Sequence, residues 1–95
     1  MATLIVSPEA QDDLRSIGDW IARDDPVRAG SFVAELEGAC ADLLAFPRAY
    51  PPFPALGPDT HRRNHGQYAI LYDVGDDAVV ILRVVHGRRH LDNLF

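Results

Sequence analysis

From Tyr68 onward the chain is apolar almost without a break: YAILYDV, the turn Gly75-Asp76-Asp77, then AVVILRVV. A run of β-branched residues bounded by turn residues predicts a β-hairpin whose second strand is buried on both faces. Arg83 interrupts that strand, and His86, Arg88 and Arg89 follow its end. Ahead of it, residues 60–65 read as a strand carrying Arg62 and Arg63, turned by Gly66-Gln67 into the strand at 68–74. At the other end of the chain, Thr3-Leu4-Ile5-Val6 reads as a short strand.

Two stretches of helical spacing lie between. Ser7-Pro8-Glu9 opens the first with a capping hydroxyl, a proline that needs no N–H, and a carboxylate at the positive end of the dipole. Ala10, Leu14, Ile17 and Ile21 form its buried stripe, with Trp20 at the margin. It stops near Arg23-Asp24, where Asp25-Pro26 repeats the cap-then-proline start and predicts a second helix over 26–46. The short break makes the two helices an antiparallel hairpin. Residues 47–58 hold five prolines and one glycine with Tyr50 and Phe53 interleaved, which predicts polyproline-like structure packed on the body. The order β-α-α-β-β-β predicts one α+β domain over residues 1–95, an αα-hairpin on one face of a small, mostly antiparallel sheet.

Composition narrows the function classes. Ninety-five residues make one modest core, and 47% apolar with 24% charged residues is a globular balance. The one cysteine cannot form an internal disulfide, and no basic leader or long apolar span stands out, so the expectation is a cytoplasmic protein without membrane contact. The net charge of −5 is uneven: residues 1–45 carry three arginines against nine carboxylates, residues 46–95 six against five. All nine basic residues are arginines, suited to fixed bidentate contacts. Arg62-Arg63 and Arg88-Arg89 form a weak basic patch, thin for sequence-blind nucleic-acid affinity, and no direct sequence-specific nucleic-acid binding by the chain alone is expected.

Arg83 within an apolar strand must be ion-paired, with Asp73 on the preceding strand the nearest candidate, or reach a working surface. His86 stands three positions on, so in a straight strand the two side chains face opposite sides. His61/His65 and His86/His90 are spaced by four, but off any helix and without a completing shell, so no metal and no cofactor are expected. Cys40 sits on the apolar stripe of the second helix and reads as a buried, inert thiol. Tyr68 and Tyr72 share a strand face and read as packing residues.

Arg63, Tyr68-x-Ile70-x-Tyr72, the Gly75-Asp76-Asp77 turn, and Val79-x-Ile81-x-Arg83-Val84-x-His86-Gly87-Arg88-Arg89 together resemble the C-terminal half of ParE toxins. Upstream, Ser7-Pro8-x-Ala10-x-x-Asp13-Leu14-x-x-Ile17-x-x-Trp20-Ile21 and Pro47…Tyr50-Pro51 fit the same pattern, so the likeness to this branch of the RelE/ParE superfamily covers nearly the whole chain. The chain departs from it at His90, where an acidic residue often follows the second arginine.

The resemblance implies a toxin of a type II toxin–antitoxin system, neutralised by a cognate ParD-like antitoxin whose C-terminal segment wraps it. For ParE members it implies poisoning of DNA gyrase, with the C-terminal region important for toxicity; RelE members instead cut mRNA on the ribosome. Arg83, His86, Arg88 and Arg89 are the residues expected to grip the target, and Trp20, Phe32 and Leu36 those expected to meet the antitoxin. Cutting RNA needs a base, an acid and a cation together, and a chain without lysine offers only His86 with Arg83 or Arg63. A non-enzymatic gyrase inhibitor is therefore the first expectation, a ribosome-dependent endoribonuclease the second, and a non-toxic interaction module the third.

Overall fold

A computed structural model describes residues 2–87 of the chain; Arg88, Arg89 and His90 lie outside the described residues. The elements are β1 (Thr3–Val6), α1 (Pro8–Ala22), α2 (Pro26–Asp42), β2 (Thr60–His65), β3 (Tyr68–Val74) and β4 (Ala78–His86). The four strands form one sheet in the order β1-β4-β3-β2, antiparallel except for the parallel β1–β4 pair. This is the expected α+β architecture, with both helices on one sheet face. No helix among the described residues is long and apolar enough to cross a membrane.

Both helix starts follow their local chemistry. The Ser7 hydroxyl accepts from Ala10 N–H and the Asp25 carboxylate from Arg28 N–H, with proline at the first helical position each time. Each such cap is worth about 1 kcal/mol. α2 ends at Asp42 rather than near residue 46: Leu43, Leu44 and Ala45 donate three residues back instead of four, tightening the chain into turns. That tightening drives Leu43 into the core and leaves Phe46 largely exposed.

The core lies between helices and sheet, where Ala10, Ile17, Leu36, Ala39, Cys40 and Leu43 meet Ile70, Tyr72, Val79, Ile81 and Val84. A smaller cluster, Ala69, Leu71 and Val85, sits on the other face under Phe53. Residues 47–59 form a succession of turns, not a continuous polyproline stretch. Tyr50 packs on the helix side, Pro52 bridges to His61, and Phe53 packs on the far side, so this loop clasps the edge strand β2 from face to face. Phe53 N–H donates to Thr60 C=O and Arg62 N–H to Pro51 C=O, which covers part of an otherwise open strand edge.

Register decides where the cations go. Val74 faces Val79 and Tyr72 faces Ile81, but Leu71 faces Arg83, leaving Leu82 as an extra residue in a bulge. Without it Arg83 would share the core face with Ile81. With it, Val84 takes the core position opposite Ile70, and His86 arrives opposite Tyr68. Gly75 N–H donates to Ala78 C=O, so the hairpin tip is the two-residue turn Asp76-Asp77.

Candidate functional site

Three separate clusters receive the residues expected to act together. The first ties α1 to β4. β1 ends at Val6, opposite Ile81, so β4 has a free edge beyond that point. The Ser7 hydroxyl donates to Leu82 C=O and the Asp13 carboxylate accepts from Val84 N–H there (2.9 Å). The same carboxylate holds Arg83 bidentately, Nε to Oδ2 at 2.7 Å and Nη2 to Oδ1 at 2.9 Å. Those hydrogen bonds push the Arg83 guanidinium further above its ordinary pKa. The expected partner, Asp73, instead accepts from the Thr60 hydroxyl. Asp73 faces Thr60 and Val80 in the ladder, whereas Arg83 lies beyond the bulge.

The second cluster closes the C-terminal end of α2. Arg63 donates to Ala39 C=O at 2.7 Å, stands 3.9 Å from an Asp42 carboxylate oxygen and lies over the Tyr50 ring. Tyr72, fully buried, donates its hydroxyl to Pro47 C=O and stacks on His61, whose Nδ1 meets Tyr50 C=O. Burial pushes the Tyr72 hydroxyl up to about 12 and the Cys40 thiol up to about 11. Both groups are therefore protonated, packed parts of the core.

The third cluster surrounds His86. Its ring meets Tyr68 edge-on and its Nε2 lies 3.2 Å from the Gln67 Oε1. Tyr68 in turn packs on Phe32, and Phe32 on His65. Glu35 receives both His65 and Arg28, and those two hydrogen bonds hold its carboxyl below the usual range. Beside His86 a cleft of about 550 Å³ is lined, among the described residues, by Arg62, Asn64, Gly66, Gln67, Tyr68, His86 and Gly87. The Arg62 Nε donates to the Asn64 amide oxygen at 2.8 Å. Gly66, at φ +58°, makes the tight turn that brings Gln67 to Gly87, where Gly87 N–H donates to Gln67 C=O.

Of the expected target-gripping residues among those described, His86 alone lies in this cleft. Arg83 is held by Asp13, and the bulge falls before Arg83 rather than between it and His86, so their odd offset survives. Of the expected antitoxin contacts, Trp20 is 55% exposed, with Arg23 over its ring, and Phe32 is partly buried beneath Arg28. Leu36 overturns its expectation: it has no exposed surface and belongs to the core, because its position on α2 faces the sheet. Sequence reasoning missed Asn64 and Gln67 beside His86, and Asp13 as the partner of Arg83; strand pairing brings the first two to His86, and the docking of α1 on β4 brings Asp13 to Arg83. Among the described residues no group of three His, Cys, Asp or Glu side chains is placed to hold a metal ion.

The comparisons with known proteins bear on the family and the fold. The profile described as ParE toxin of type II toxin-antitoxin system, parDE, matches residues 4–91. A solved structure described as a chromosomal ParDE TA system from P. aeruginosa superposes with a TM-score of 0.78 at 19% identity, covering 90% of this chain and 96% of that one. The toxin–antitoxin complex RelBE2 from Mycobacterium tuberculosis superposes with a TM-score of 0.62 at 29% identity, again covering 90% and 96%. No curated protein sequence matches this chain closely enough to be counted a relative.

Proposed function

The chain belongs to the ParE toxin family of type II toxin–antitoxin systems, and on that premise we propose that it stops growth by gripping DNA gyrase without breaking a bond, and that a cognate ParD-like antitoxin neutralises it. The observation that carries this reading is the separation of Arg83 and Arg63 from His86. Concerted RNA cleavage needs base, acid and cation within hydrogen-bond reach of one phosphate. Here Arg83 is bidentate on Asp13, and Arg63 is bonded to the end of α2, in clusters different from that of His86. What remains around His86 is a polar surface of Arg62, Asn64 and Gln67, fit to hold a protein.

The antitoxin reading rests on the two structural neighbours, both described as toxin–antitoxin systems. It rests also on exposed apolar surface where α1 turns into α2: Trp20 at 55% and Val27 at 84% exposure. Phe32 lies farther along α2. A helical or extended segment laid across the hairpin would cover these side chains. The endoribonuclease reading keeps one supporting observation, the sharing of a cleft by His86 and Arg62.

Expression of the chain alone separates the readings. A gyrase poison produces a DNA damage response and filamentation, and the purified chain inhibits supercoiling by gyrase. Immediate arrest of translation with cleaved message would replace this reading by the nuclease. Absence of any growth effect would leave an interaction module.

A further inference from the structure

We infer that the cleft beside His86 is a carboxylate seat: it takes an aspartate or glutamate side chain from the toxin's protein target, with Arg62 as the residue that binds the anion. The inference deepens the reading of a bound, uncut protein target and rests on it. Among the described arginines of the sheet, Arg62 is the one without a carboxylate against it. Arg28, Arg63 and Arg83 each stand against a carboxylate, of Glu35, Asp42 and Asp13 respectively. Arg62 instead bonds a neutral amide, Asn64 Oδ1, through Nε. Its positive charge is thus uncompensated by its own partner, while Asn64 fixes the plane of the guanidinium.

The backbone keeps that guanidinium open. A Cβ on Gly87 would lie 3.6 Å from the Arg62 Nη2 and 3.4 Å from Gln67 C=O, so a larger side chain at this position would begin to cover the terminal nitrogen. Gly87 is itself pinned by its N–H to Gln67 C=O at 2.8 Å. The Gln67 amide and the His86 ring, in contact with each other, complete the polar wall.

Among the described residues the cleft holds one cation without a carboxylate partner, beside neutral amides and an imidazole, and that suits one carboxylate, which a guanidinium receives through paired N–H donors. A phosphodiester track would need several cations in register. The chain's net charge of −5, with Glu35 placed against His65 on the neighbouring helix, disfavours a polyanion further.

The test is a titration of the ¹⁵N-labelled chain at low salt with a capped tetraglutamate peptide and, separately, with the dinucleotide uridylyl-uridine. Expected is a saturable shift of the Gln67 and Gly87 amides and the Arg62 Nε signal with the peptide. Arg62→Gln should weaken it at least fivefold, and Arg15→Gln, on the far exposed face of α1, should leave it unchanged. Asn64→Ala, which keeps the charge but releases Nε, should weaken it by a smaller factor, and each spectrum reports whether its variant is folded. No saturable peptide shift, an unchanged affinity in folded Arg62→Gln, or tighter binding of the dinucleotide overturns the proposal. Because this readout contains no gyrase, failure here is distinguishable from failure of the chain to inhibit supercoiling.

Discussion

Asp13 is the group on which the lower half of β4 depends, and Asp13→Ala measures by how much. The substitution removes the acceptor of three hydrogen bonds, two from Arg83 and one from Val84 N–H. Arg83 keeps 38% of its side chain exposed, so solvent screening limits the ion pair to about 1 kcal/mol. Val84 is 2% exposed, and a buried N–H left without an acceptor costs about 1–3 kcal/mol. The sum, about 2–4 kcal/mol, lowers the thermal midpoint of a domain this size by roughly 10–25 °C. Arg83→Ala leaves Asp13 on Val84 N–H and should cost only about 1 kcal/mol. Urea unfolding followed by circular dichroism gives both values, and hydrogen exchange at Val84 reports the stranded amide directly. In the double variant the two costs should fall short of additivity by about 1 kcal/mol, since Arg83 without Asp13 has little left to lose. An Arg83→Ala cost equal to that of Asp13→Ala would refute the reasoning that stranding the Val84 N–H costs more than breaking the ion pair, and strict additivity would refute the ion pair's contribution. The result bears on function too. Only if Arg83→Ala is mild can its loss of toxicity, compared with that of Cys40→Ala, be read as loss of target contact.

Two further outcomes follow from local geometry. Gly30 sits inside α2 with open space where a methyl group would go, so Gly30→Ala should raise stability by about 0.5–1 kcal/mol. Gly66→Ala, forced to keep φ +58°, should lower it by about 1–2 kcal/mol; matched urea midpoints decide both. The Cys40 thiol, raised by burial to about 11, should resist iodoacetamide at pH 8 in the native state and react only on unfolding. The sign is fixed: the native state withholds ionisation that the unfolded chain permits, so this contribution is intact below the unfolded thiol's pKa and is lost as pH climbs toward 11. Rapid native-state alkylation would place Cys40 outside the core.

What the chain declares on its own is everything governed by neighbours in sequence. Ser7-Pro8 and Asp25-Pro26 start helices because a cap and a proline act on the next few N–H groups. The alternation of turns and β-branched runs sets the three C-terminal strands, and the order of elements with them. The pattern of ParE-like residues was equally legible, and with it the family. The exception within local reach is the end of α2, where apolar spacing continues through Leu43 and Leu44 after the helical hydrogen bonds have stopped.

Tertiary structure alone decided which face each cation took. β4 is apolar on both sides, so its sequence carries no parity, and the extra residue at Leu82 can be inserted without leaving a mark. That insertion lifts Arg83 out of the core, frees it for an aspartate 70 residues earlier, and sets His86 opposite Tyr68, beside Gln67. Likewise Leu36 goes inside while Trp20 stays outside, because the choice depends on which helix stripe docks on the sheet. Side-chain periodicity reports how much of an element is buried; only the docking of whole elements determines against what.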